Sequence, residues 1–140
     1  MIRMHLGYVS AIVSLFLLLT AVGVASSAVH LVHSDGLGDF PTIQDAIDAA
    51  AAGDTVQLAP GPFQGTGNRE LDCAGNPRLH TSSAANPDSS VIDCETLGRA
   101  ISFASGDTSV VVAGIGFVNG RVTGADVGGA IAIGTGSRPV

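Results

Sequence analysis

Two short words carry most of the reactive side chains in this chain: Leu71-Asp72-Cys73 and Ile92-Asp93-Cys94, followed by Arg78 and Arg99 at the same interval. The offset between them is 21 residues. A period of twenty-odd residues is that of one coil in a parallel β-helix or of a leucine-rich repeat, and the leucine framework of the latter is missing. Residues one coil apart are neighbours, and i and i+2 share one face of a strand. Leu71 is then expected on Ile92 and Cys73 on Cys94 inside the coil, with Asp72 and Asp93 both facing out. Stacked strands lie about 4.8 Å apart, within the Cα window of about 4.4 to 6.8 Å that a disulfide accepts. Two readings of the cysteines follow. One is a Cys73–Cys94 disulfide stapling adjacent coils; the other is a pair of reduced core thiols, favoured by the strain that parallel Cβ vectors impose. With no third cysteine and no Cys-x-x-Cys, zinc and thioredoxin-type chemistry have no framework.

Stacked Asp72 and Asp93 would repel each other unless something neutralises them. Ca²⁺ suits such a site because it takes several oxygen ligands, and Glu70 and Glu95 lie close in sequence. A solvated acidic stripe screened by Arg78 and Arg99 is the simpler reading, since no calcium-loop spacing is present. No metal site and no cofactor is therefore assigned, with Asp72 and Asp93 as the Ca²⁺ candidates. His30, His33 and His80 have no nucleophile elbow to make a Ser-His-Asp set. Gly36-Leu37-Gly38 lacks the third glycine and preceding strand of a phosphate loop. No catalytic residue emerges.

The elements that must position these groups begin at Asp35. Ile43, Ala46, Ile47 and Ala50 recur at i, i+3, i+4 and i+7, which predicts a short amphipathic helix. Thr42 is its N-cap, Asp45 and Asp48 suit its positive start, and Gly53 its C′ position. Directly after, Val56 and Leu58 alternate with Thr55 and Gln57, a strand pattern. Gly61 to Asn68 is turn chemistry. Strands are then predicted at 69–73, 78–82, 90–94, 99–104, 110–118 and 130–133, and Val29-His30-Leu31-Val32-His33 as an edge strand.

Upstream, Arg3 and the apolar run Val9–Val24 end in Ser26-Ser27-Ala28, the layout of a secretory signal cleaved after Ala28. Sixteen residues are short against the roughly 20 that span a bilayer. The chain has no lysine, 6 arginines, 12 acids and 19 glycines, for a net charge of −6. Such a balance excludes nucleic acid and anionic membrane as partners, because both gain affinity from basic residues. Few aromatics and many Val, Ile, Ala and Gly fit a narrow interior with tight corners.

Asp35-Gly36-Leu37-Gly38-Asp39-Phe40-Pro41-Thr42-Ile43-Gln44, then Ala46-Ile47-Asp48-Ala49-Ala50, Gly53-Asp54-Thr55-Val56 and Pro60-Gly61-Pro62-Phe63, resembles the opening of pectinesterases. More broadly it is similar to the pectin-lyase-like superfamily, above all to secreted right-handed parallel β-helix repeat proteins. The resemblance implies that the helix plugs the N-terminal end of a solenoid. Calcium at stacked acids is a device of the pectate-lyase branch. In pectinesterases a Gly-x-Tyr-x-Glu block follows the opening strand; here it falls on Gly61-Pro62-Phe63-Gln64-Gly65, so Phe63 and Gly65 replace Tyr and Glu. The later blocks that hold the catalytic Gln and Asp residues have no counterpart, and no catalytic role is carried over.

These readings define an all-β fold, a right-handed parallel β-helix with a short N-terminal capping α-helix. Residues 1–28 are the expected signal peptide, 29–55 the cap strand and helix, and 56–140 the coils. Ile131-Ala132-Ile133 reads as the start of a further coil with no cap after it, so the chain is expected to be truncated and its open C-terminal coil to pair with further coils or another chain. The expected function is a secreted, non-catalytic module for cell-surface attachment or polysaccharide contact. The rival is the N-terminal part of a polysaccharide lyase or carbohydrate esterase whose catalytic coils lie beyond residue 140.

Overall fold

The computed structural model describes residues 26–73, 78–81, 89–103, 110–123 and 129–140. Most of the expected signal peptide, residues 1–25, lies outside them. The described chain is mostly strands with one short helix: β1 (Val29–Val32), α1 (Ile43–Ala49), β2 (Thr55–Leu58), β3 (Gly61–Phe63), β4 (Leu71–Asp72), β5 (Arg78–Thr81), β6 (Ser90–Asp93), β7 (Ile101–Phe103), β8 (Val111–Ala113), β9 (Gly116–Val118) and β10 (Ile131–Ile133). None of the described helices is long and apolar enough to cross a membrane.

The strands form three sheets: sheet A in the order β1-β2-β5-β8, sheet B in the order β3-β6-β9, and sheet C in the order β10-β7-β4. Every strand pair is parallel. From β2 onward the chain enters sheets A, B and C in turn, three times over. One core serves all three: Val56 and Leu58 from sheet A, Phe63 and Ile92 from sheet B, Leu71, Ile101 and Phe103 from sheet C, and Ile43, Ala46 and Ile47 from the helix. Fully burying side chains of this kind contributes about 1.5 to 3 kcal/mol each.

Local sequence accounts for the first elements. Val56 and Leu58 are buried while Thr55 and Gln57 between them are half-exposed, the alternation of a strand with one dry face. The helix buries Ile43, Ala46 and Ile47. Thr42 is its N-cap, with the side chain accepting from Asp45 N at 3.2 Å. The remaining free N–H groups of the first turn are met from the loop after β3: Ile43 N donates to Asn68 Oδ1 at 2.9 Å and Gln44 N to Gly67 O at 2.9 Å. Gly67 permits that approach, since a Cβ there would sit 2.8 Å from Thr42 Oγ1, and its φ is +84°. The helix ends sooner than its pattern predicts. Ala50 is the C-cap in extended backbone, and Gly53, at φ +90°, serves the following turn rather than C′.

The N-terminal edges of sheets A and C are covered. Beside β1, Leu31 N donates to Asp39 Oδ2 at 2.8 Å and Asp39 N to Leu31 O at 2.7 Å. At the edge of sheet C, the Gln44 carboxamide pairs with Asp72 as a strand would: Asp72 N donates to Oε1 at 3.0 Å and Nε2 donates to Asp72 O at 3.2 Å. Unpaired sheet edges invite association, and the chain blunts these two with its own groups.

Three expectations are corrected. The 21-residue offset is not the repeat: Leu71 pairs with Ile101, not Ile92, and paired residues stand 23 to 33 positions apart. The two aliphatic-Asp-Cys words lie in different sheets, β4 in C and β6 in B, so their spacing measures two of the three steps from sheet to sheet. The predicted strand 110–118 is two strands, split at Gly114, whose φ of +68° turns the chain from sheet A to sheet B. Gly61-Pro62-Phe63, predicted as turn, is strand β3; it is an edge strand, where proline is compatible with a ladder.

Candidate functional site

Polar groups converge where the chain passes from sheet B to sheet C. Phe63 is in register with Ile92, and Asp93 with Val118, so the residues leaving β3, β6 and β9 line up along one corner. Asp93 is its centre. Its carboxylate accepts from Asn119 Nδ2 at 2.8 Å, from Glu95 N at 2.9 Å and from Gln64 Nε2 at 2.8 Å. The Asn119 side chain foremost, then the Glu95 amide and Gln64, hold this carboxyl below its ordinary range, against a smaller opposing effect of burial. Glu95 Oε2 accepts from Gly65 N at 2.8 Å and pairs with the Arg69 guanidinium.

Backbone strain gathers at this corner. Glu70, Glu95, Thr96 and Asn119 have φ between +53° and +60°, and they are the left-handed non-glycine residues among those described. All four lie between a strand of sheet B and the strand of sheet C that follows it. Left-handed backbone costs about 1 to 3 kcal/mol for a residue with a Cβ and concentrates at functional sites.

Against this corner lies a cleft of about 340 Å³, bounded by Glu70, Thr96, Leu97, Arg99, Arg121 and Thr123, with Gly98 and Val122 completing the lining. Arg121 N donates to Gly98 O at 2.8 Å, and Glu70 N to Arg99 O at 2.7 Å, so backbone pairing sets the guanidinium-bearing residues on adjacent rows. Gly98 makes room for Glu70: a Cβ there would meet Glu70 Oε1 at 2.6 Å. Leu97 is 65% exposed. The lining offers the Arg121 guanidinium, which can take a carboxylate or sulfate in paired hydrogen bonds, two hydroxyls and a carboxylate for sugar hydroxyls, and an apolar side chain for a ring face.

The pairs read from sequence, Asp72 with Asp93 and Cys73 with Cys94, are not stacked on each other. Asp72 pairs in register with Ser102 in sheet C, while Asp93 stands in sheet B, so the two carboxylates do not stack as calcium ligands. Among the described residues no group of three or more His, Cys, Asp or Glu is arranged to hold a metal. Cys73 and Cys94 are both buried, follow strands of different sheets, and carry thiols with no disulfide between them. Burial pushes the Cys94 thiol up, and the Asp93 charge adds to it. His30 lies edge-on to Phe40, with ring centroids 5.3 Å apart, and Nε2 is 3.3 Å from Asp54 Oδ2. His33 O accepts from Gly36 N at 3.0 Å in the turn that contains Gly36-Leu37-Gly38, and His80 stands in β5 opposite Gln57.

Three buried polar residues escaped the sequence reading. Asp54 accepts from Ala28 N and Ala51 N, each at 2.8 Å. Asn68 joins Ile43 N to Gln64 O. Ser90 donates to Ala59 O at 3.0 Å. The one available signal was that each sits beside a turn or strand end, where short polar side chains can bond to backbone. The chain matches no family model, no curated protein and no solved structure.

Proposed function

We propose that the chain is a secreted right-handed parallel β-helix module that contacts polysaccharide, without catalysis, through the cleft between Glu70 and Thr123. Support for the coil comes from three all-parallel sheets entered in fixed rotation around a common core. Right-handedness follows the strong general preference of parallel crossover connections. The observation that carries the function is the cleft itself: Arg121 lines it in a chain of net charge −6, beside four strained backbone positions. In a chain of net negative charge, an arginine in the lining of this hollow, Arg121, suits a saccharide bearing carboxylate or sulfate.

The test is retention of the protein on a panel of immobilised neutral and acidic polysaccharides, with and without Ca²⁺. Retention on acidic members, independent of Ca²⁺ and weakened at least tenfold in Arg121→Ala, is expected. Equal behaviour of wild type and Arg121→Ala on every member, or retention that needs Ca²⁺ and is lost in Asp93→Ala, counts against this reading.

A further inference from the structure

At the end of the expected leader, two peptide bonds that follow an alanine satisfy the Ala-x-Ala-like rule of a secretory cleavage site. One follows Ala28, with Ser26 two positions before it; the other follows Ala25, with Gly23 two positions before it. The chain alone does not choose between them. The fold is intact only with the second, because Ser27 and Ala28, which that cut leaves on the mature chain, are built into it.

Ala28 O accepts from Thr55 N at 2.8 Å, adding one rung to the parallel ladder that begins with Val29 opposite Thr55. Ala28 N donates to Asp54 Oδ1 at 2.8 Å, and Asp54 is only 7% exposed. Ser27 Oγ donates to Gly53 O at 2.7 Å. Three successive residues, Gly53, Asp54 and Thr55, are thus met by Ser27 and Ala28. Cutting after Ala28 would strip Thr55 N–H of its acceptor and a buried carboxylate of one of its donors, and leave an ammonium at the first residue of an edge strand.

We propose that the secretory leader is removed between Ala25 and Ser26, so that Ser27 and Ala28 remain as part of the mature fold. This rests on the secretory reading above. The step is hydrolysis: a membrane-bound signal peptidase adds water across the Ala25–Ser26 peptide bond, Ala25 leaves with the carboxylate, and Ser26 takes the new ammonium. Placement agrees with the apolar run Val9–Val24, whose bulkiest stretch, Leu15–Leu19, ends before Thr20 and leaves a six-residue approach to the bond, Thr20 to Ala25.

The full chain is expressed in a secreting host, and the exported protein is read by N-terminal sequencing and intact mass. A terminus at Ser26 is expected. Bulky Ala25→Leu should accumulate precursor, whereas Ala28→Leu should be processed like wild type. A terminus at Val29, or a block by Ala28→Leu instead of Ala25→Leu, overturns the site and leaves the secretory reading standing. A terminus at Met1 with the chain retained in cells overturns both.

Discussion

Asp54 Oδ2 lies 3.3 Å from His30 Nε2, so a buried carboxylate at the start of β2 holds a histidine of β1. The same carboxylate accepts from Ala28 N and Ala51 N. One side chain thereby fastens the first strand, the exit of the helix and the entry of the second strand.

These bonds dictate an acid dependence. The Ala28 amide foremost, then the Ala51 amide and lastly His30, lower the Asp54 pKa from 3.8, against an opposing effect of burial. A carboxyl whose folded pKa is depressed contributes stability that is present above its unfolded pKa and lost as pH falls through the folded one. Thermal melts should therefore show Tm falling as pH drops below about 4, and the fall should be shallower in Asp54→Asn, which keeps the shape and loses the titration. Identical pH profiles would show that Asp54 does not bind protons differently in the two states.

Gln44 carries the link between helix and sheet C. Gln44→Ala removes both bonds to Asp72 and leaves that edge open, which should cost about 1 to 3 kcal/mol and speed hydrogen exchange at the Asp72 amide. Gln44→Glu keeps an acceptor for Asp72 N but no donor for Asp72 O, so its Asp72 amide should stay closer to wild-type protection. Equal exchange in all three proteins would mean that the carboxamide does not close the edge.

Gly98 separates binding from folding. Its added Cβ in Gly98→Ala would press on Glu70 Oε1, Cδ and Cγ, the outer part of a flexible side chain. Displacing Glu70 into the cleft should lower polysaccharide retention severalfold while Tm moves little, and Glu70→Ala combined with Gly98→Ala should restore part of it. Loss of Tm in parallel with retention would place the effect in the fold rather than the cleft.

The cysteines supply a fourth readout. Both are buried, so a thiol reagent should modify neither in the native protein and both once it is unfolded, and reductant should leave the intact mass unchanged. A gain of two mass units on reduction would show a disulfide instead.

Much of the N-terminal half is legible in sequence for a physical reason: its determinants are local. Thr42 caps the helix through Asp45, three residues away, and Val56 and Leu58 alternate with polar neighbours within β2. Register is different. Leu71 faces Ile101 because each pairing satisfies backbone and core together, and the connections between strands differ in length. A search for constant spacing therefore finds an echo between sheets instead of the true partners. Asp93 was legible as an outward acid, but its neighbours Gln64 and Asn119 follow the strands on either side, so its hydrogen-bonded state was not. Arg121 drew no notice, since nothing near it in sequence marks a cleft that Glu70 and Thr96 help to build.

Paired strands are unequally spaced in sequence. Sheet A accommodates both the Thr55–Arg78 and the Arg78–Val111 interval, while sheet C keeps Leu71, Ile101 and Ile131 evenly spaced. Pairing, not residue count, sets where each strand lies. Closing a longer connection costs little extra chain entropy, so the intervals of 23 and 33 residues within one sheet leave the parallel partners of Arg78, Thr55 and Val111, equally in register.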